Sequence, residues 1–169
     1  QCEAPPRRRA AALALLAFVT VSPSQAAGPV IGLAAPLTGF AAPLGNQMQA
    51  GAAAAAAGSL TLVTEDTACT AEGGARAAAS FVAARAAIVT GFLCTEALEA
   101  ALPVLTAANI AVITTGVRTD AVTGSREKTG HLIWRLAPRL SAEAAGAAAL
   151  LLPRWREHLF AIIDDGTIH

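Results

Sequence analysis

The chain contains a single lysine, Lys128, and its 12 basic residues are balanced by 12 acidic ones. No basic stripe is available to follow a phosphate backbone, which argues against nucleic acid as a partner. Catalytic signatures are missing as well. No G-x-G-x-x-G follows the first apolar run, and in "GSREKTG" Glu127 stands where a P-loop requires glycine. There is no G-x-S-x-G, and His131, His158 and His169 are not placed by any motif beside a serine or thiol. The cysteines form no C-x-x-C and the histidines no H-x-x-x-H, so the ligand spacing of a metal site is absent. No catalytic residue, metal or cofactor is expected. Long apolar runs are scarce too: the run at residues 10–21 has twelve residues, against the roughly 20 that a membrane-spanning helix needs.

That short run has a different meaning. Arg7, Arg8 and Arg9 precede it, and Pro23 and the small-x-small triplet Ser24, Gln25 and Ala26 follow it. This is the three-part layout of a secretory signal peptide, so residues 1–26 are expected to direct export and to be cleaved near Ala26. Cys2 lies ahead of the basic run rather than at the cleavage point, which argues against a lipoprotein anchor. Gln1 in place of Met predicts that the reading frame begins upstream. Without residues 1–26, which hold Glu3 and the three arginines, 9 basic and 11 acidic residues remain, a net charge of −2. The remainder is long enough for one ordinary domain.

Export decides the chemistry of the cysteines. Two survive processing, and in an oxidising compartment they read most simply as a Cys69–Cys94 disulfide. They are 25 positions apart, and closing such a loop contributes roughly 3 kcal/mol in the chain-entropy model. A reactive thiol would want a neighbouring base and a reducing compartment, and neither is indicated.

The remaining pattern alternates. "PVIGLAAP" at 29–36 is a short apolar run closed by turn residues, and "LGNQMQAGAAAAAAG" at 44–58 has the alanine content of a helix. "LTLVTED" predicts a second strand and "TAEGGARAAASFVAARA" a second helix, apolar on one face and charged on the other. "AIVTGF" is a third strand. In "TEALEAALPVLTAAN" Thr95 is expected to be the N-cap of a third helix, with Glu96 in its first turn, and "IAVITT" is a fourth strand. Such alternation predicts an α/β fold with a doubly wound parallel sheet, helices on both faces, and ligands gathered at the carboxyl ends of the strands. Those ends carry "APLTGFAAPLG", "EDTAC", "GFLCTEA" and "TTGVRTDA", rich in small residues. Phe40 and Phe92 are read as core or wall, and Trp134 and Trp155 as packing residues.

The stretches "IGLAAPLTG" followed by Gly45, "EDTAC" paired with "GFLC", "NIAVITT", "LIWRLAP" and "FAIIDDGTIH" carry a resemblance. From about Val30 to His169 the chain resembles the leucine/isoleucine/valine-binding protein family, the periplasmic substrate-binding components of ABC transporters. The resemblance implies the type I periplasmic-binding-protein fold. Residues 28–136 would form an incomplete first lobe, and residues 137–169 a crossover and the truncated start of a second. It also implies a small amino acid or amide-like ligand held between two lobes for delivery to a membrane permease, and no enzymatic activity. Chains of the family continue and cross back, so an amino-terminal fragment is expected. Residue by residue, Thr95 corresponds to the hydroxyl that holds the ligand carboxylate, and Gly116 to the carbonyl that accepts from its ammonium. Arg118 stands where the family has another hydroxyl residue, Leu44 where it has an aromatic, and His169 where the second lobe contributes a tyrosine. Arg118 has three readings: a bond to the ligand carboxylate, a pair with Asp120, or a solvated charge. A cation in the pocket would favour a ligand more acidic than leucine. A ligand-sensing extracellular receptor domain of the same fold would share every one of these residues, and an exported α/β hydrolase is a third reading that lacks a nucleophile.

Overall fold

Short apolar runs closed by turn residues become strands here, and the alanine-rich runs between them become helices. The structure, a computed structural model, describes residues 28–58, 60–159, 161 and 163. The expected signal peptide, His169 and the strand expected around "FAIIDDG" lie outside the described residues, apart from Ala161 and Ile163.

The elements follow in the order β1 (Val30–Ala35), α1 (Ala42–Ala56), β2 (Thr61–Asp66), α2 (Ala71–Ala83), β3 (Ile88–Gly91), α3 (Thr95–Ala107) and β4 (Ala111–Thr114). Then come α4 (Asp120–Gly124), α5 (Arg126–Thr129), β5 (Ile133–Arg135) and α6 (Leu140–Trp155). The five strands form one sheet in the order β2-β1-β3-β4-β5, with every neighbouring pair parallel. The first connection therefore steps one way from β1 and the second crosses back over it. With the right-handed crossovers that parallel strands adopt, α1 lies on the face opposite to α2 and α3, which is the doubly wound arrangement expected from the sequence.

The core sits under α2 and α3. Phe81 from α2 and Leu98, Leu102 and Leu105 from α3 pack with Val89, Val112 and Ile133 of the sheet, all of them buried. Burial of a side chain of this size contributes about 1.5–3 kcal/mol, so this cluster dominates the favourable side of folding. In β3 and β4, Val89, Gly91, Val112 and Thr114 are buried, while Ile88, Thr90, Ala111 and Ile113 on the alternate positions are half-buried. One face of the sheet is thus covered more fully than the other. Thr70 caps α2, its hydroxyl accepting from the Gly73 N–H at 3.0 Å. Arg85 and Asn109, each just beyond a helix end, close α2 and α3 in the left-handed region at φ 54° and 57°.

Several expectations change. Cys94, extended at φ −111° and ψ 134°, occupies the N-cap of α3; Thr95 is its first helical residue and makes no capping hydrogen bond. The sequence offers no elements between Thr115 and Pro138, yet α4, α5 and β5 lie there; each has five residues or fewer, too few to show a period. Trp134 and Trp155 do not pack inside: they are 45% and 49% exposed. Trp134 stands on the edge strand with the Arg126 guanidinium 5.0 Å from its ring, and Trp155 ends α6, none of whose residues is buried.

The contact between α2 and α3 is close enough to depend on one residue. A Cβ placed on Gly74 would collide with the Ala97 carbonyl, whereas one on Gly51 in α1 meets nothing. Gly74→Ala is expected to lower stability by about 1–3 kcal/mol through overpacking, and Gly51→Ala to raise it by about 0.5–1 kcal/mol through lost chain entropy. Urea unfolding of the two variants checks the contrast; equal effects would mean that α2 and α3 are not in backbone contact.

Candidate functional site

Because all five strands are parallel, every loop after a strand opens on the same edge of the sheet. The edge parts where the strand order changes direction, beside β1, and such a switch point is where open α/β sheets make a crevice. A cleft of about 610 Å³ lies there, lined from α1 by Leu44, from the β1–α1 loop by Phe40, from the start of α3 by Thr95 and from the β4–α4 loop by Gly116 and Arg118. Four of the residues expected from the sequence, Leu44, Thr95, Gly116 and Arg118, are brought to one wall. Gly45 lets this happen at α1: a Cβ there would collide with the Pro36 carbonyl, so its absence seats the helix start against the end of β1. Phe40 is 89% exposed and belongs to the wall, while Phe92 is fully buried and belongs to the core.

The two loops flanking β1 are joined. Cys69, after β2, and Cys94, after β3, form a disulfide with their Cα atoms 5.2 Å apart, and both line the cleft. Ala68 and Cys69 adopt φ 47° and 53°, and Phe92 adopts φ 59°. Non-glycine residues in this region carry strain that persists only where the surroundings impose it, and such positions cluster at binding sites.

Asp66 imposes part of it. Its Oδ1 accepts from the N–H groups of Leu37 and Ala68, each at 2.8 Å, and its Oδ2 accepts from the Thr38 hydroxyl at 2.6 Å. The β1–α1 and β2–α2 loops are thereby tied to one carboxylate. Burial acts to raise its pKa, but the hydrogen bonds from Thr38, Ala68 and Leu37 together outweigh it and hold the group below the ordinary carboxylate range. Across the cleft the Thr114 hydroxyl donates to the Phe92 carbonyl at 3.1 Å and accepts from the Val117 N–H at 3.3 Å, fixing the turn that presents Gly116.

Thr95 and Arg118 are engaged differently from the expectation. Freed from capping, the Thr95 hydroxyl lies 2.9 Å from that of Thr119, either able to donate. The Arg118 guanidinium pairs with neither Asp120 nor bulk water alone; its Nη1 donates to Glu143 of α6, at 2.9 Å to Oε2 and 3.1 Å to Oε1. The main chain beneath it is gripped by Arg135, whose Nη1 donates to the Arg118 carbonyl at 2.9 Å and whose Nη2 donates to that of Thr119 at 2.8 Å. Burial, with the nearby Arg139 charge, pulls the Arg135 pKa down, and Asp120 acts in the other direction. Asp66, Thr119, Arg135 and Glu143 were not singled out from the sequence. Asp66 alone had a local signal, an acidic residue directly before the "TAC" turn. His169 lies outside the described residues. Among the described residues no three His, Cys, Asp or Glu side chains gather as metal ligands would.

Residues 29–164 match the family described as periplasmic binding protein. No curated protein sequence matches the chain. Among solved structures, the chain is similar to the leucine-binding protein LivK of Thermotoga maritima, with 19% identity and a TM-score of 0.64 over 73% of this chain and 37% of that one. It is similar also to an ABC-transporter solute-binding protein of Rhodopseudomonas palustris in complex with 3,4-dihydroxy benzoic acid, with 22% identity and a TM-score of 0.62 over 73% and 36%. A third is the branched-chain amino acid transporter substrate-binding protein LivJ of Streptococcus pneumoniae in complex with isoleucine, with 19% identity and a TM-score of 0.56 over 66% and 34%. These likenesses establish the fold, that of type I periplasmic binding proteins, and the chain spans little more than a third of the length of those structures.

A carboxylate whose pKa is depressed by folding stabilises the protein above its unfolded value and loses that contribution as pH falls through the folded one. Asp66→Asn is therefore expected to be less stable than the parent at pH 7. The gap should close as pH falls below about 4, the ordinary aspartate value. Thermal unfolding of both proteins across pH 2–7 would show it; a gap independent of pH would remove the charge of Asp66 from the account.

Proposed function

The chain belongs to the periplasmic binding protein family, and we propose on that premise that it captures a small amino acid or amide-like ligand for an ABC importer in the periplasm. One observation carries the reading: Leu44, Thr95, Gly116 and Arg118, separated along the chain, line a single cleft at the switch point of the sheet.

The cleft supports this chemistry from its parts. The first-turn N–H groups of α3 have no acceptor within the helix, and together with the helix dipole they favour an anion. A ligand carboxylate seated there would take a further hydrogen bond from the Thr95 hydroxyl, whose present partner is only another hydroxyl. The carbonyl of Gly116 is offered to an ammonium or amide N–H. Leu44, Phe40 and Leu93 supply an apolar wall for the side chain. These groups bind and orient a ligand, which is the work of a carrier.

The cleft as described has one wall. In this proposal residues 28–136 form the first lobe, residues 137–169 cross to a second, and the ligand is held where the lobes close about a hinge. The membrane permease would then recognise the closed form.

Thr95→Ala is expected to weaken leucine binding by about 1–3 kcal/mol, the usual cost of leaving a charged acceptor short of a partner. Thr119→Val removes the same internal hydrogen bond without touching the ligand and should leave the affinity nearly unchanged. Titration followed by NMR reads both, and equal losses in the two variants would reduce Thr95 to a structural residue.

A further inference from the structure

Arg118 presents the cleft with a cation, and its partner decides what that cation is worth to a ligand. We propose that Glu143 is a positioning residue that sets the charge preference of the cleft, making it select a zwitterion over a plain carboxylate. This rests on the carboxylate-binding reading of the same cleft.

The geometry is fixed from both sides. Arg135 holds the carbonyls of Arg118 and Thr119. The first turn of α6 docks on the same segment, the Leu140 N–H donating to the Arg118 carbonyl at 3.0 Å and the Ser141 hydroxyl to Asp120 Oδ1 at 3.1 Å. Glu143 is thus carried to Arg118 by an anchored helix start and not by a loose side chain. Only Nη1 of Arg118 is used; among the described residues its other N–H groups bond no protein acceptor. Thr119, the next residue, touches Thr95 through its hydroxyl, so the ion pair stands beside the place offered to the ligand carboxylate.

The side chains of the pair are 41% and 32% exposed, and a pair in such surroundings adds little to stability. Its effect on a ligand is another matter, because a ligand responds to the sum of nearby charges. Arg118 and Glu143 cancel, and the surrounding cations Arg135 and Arg139 are matched by Asp120 and by Glu96 on the cleft wall, so the neighbourhood carries no net charge. A bare carboxylate entering here gains no net attraction from these side chains. An α-amino acid brings its own ammonium as well, and the Gly116 carbonyl is there to accept from it. Removing the Glu143 charge would leave Arg118 as an uncompensated cation and turn the preference toward anions.

Leucine and 4-methylpentanoate differ only by the amino group, and titrating the whole chain with each, followed by NMR, tests the proposal. The parent should prefer leucine. Glu143→Gln should raise the affinity for 4-methylpentanoate on the order of tenfold, the scale of one partly screened charge contact, while leucine changes less than about threefold. The gain should vanish in Glu143→Gln combined with Arg118→Gln. Glu143→Ala reads the same quantity if the glutamine variant does not fold. Equal changes for both ligands, or a gain that persists without Arg118, would overturn the role of Glu143 and leave the cleft as the binding site. Absence of binding by either ligand to the parent and all variants would instead overturn the site, and this inference with it.

Discussion

The structure depends on the reversal of strand order at β1. The chain leaves β1 in one direction to make β2 and returns across it to make β3, so the loops after β2 and β3 must diverge at the carboxyl edge. Divergence opens the cleft, and it would also leave two loops without mutual support. The Cys69–Cys94 disulfide supplies that support by spanning the end of β1, and Asp66 gathers the N–H groups of the loops on one side of it. Left-handed residues accumulate at this place because the bridge and the carboxylate together fix backbone that would otherwise relax. The same fixing aims the first turn of α3 into the opening.

Much of this was legible in the sequence for a physical reason. Strand and helix patterns report burial, and short apolar runs closed by turn residues alternate here with alanine-rich runs, so β1 to β4 and α1 to α3 could be read. The bridge was legible because the expected export and cleavage would leave only two cysteines. Bringing Thr95, Gly116, Arg118 and Leu44 together needed the family resemblance, since their spacing alone says nothing of which loops meet. What escaped the sequence depends on through-space partners. Cys94 takes the cap of α3 because its extended backbone continues from the strained Phe92 turn. Arg118 finds Glu143, 25 residues away on α6, in preference to Asp120, two residues away. Neither outcome follows from local propensity.

The ion pair changes the meaning of Arg118, the one cation on the cleft wall among the described residues. Read from the sequence, Arg118 favours a more acidic ligand than leucine. With Glu143 beside it, the same guanidinium is neutralised and serves to orient rather than attract. α6 therefore matters to the cleft although none of its residues is buried, and its first turn is the route by which the region after β5 bears on ligand choice.

The central claim is that the ligand sits on the carboxyl edge beside β1, with its carboxylate at the start of α3. Backbone-amide shift mapping with leucine tests this most directly. The account predicts the largest shifts at Thr95, Glu96, Gly116 and Arg118, with smaller ones at Leu44. Shifts confined to the opposite edge of the sheet or to the far end of α6, with the first turn of α3 silent, would contradict it.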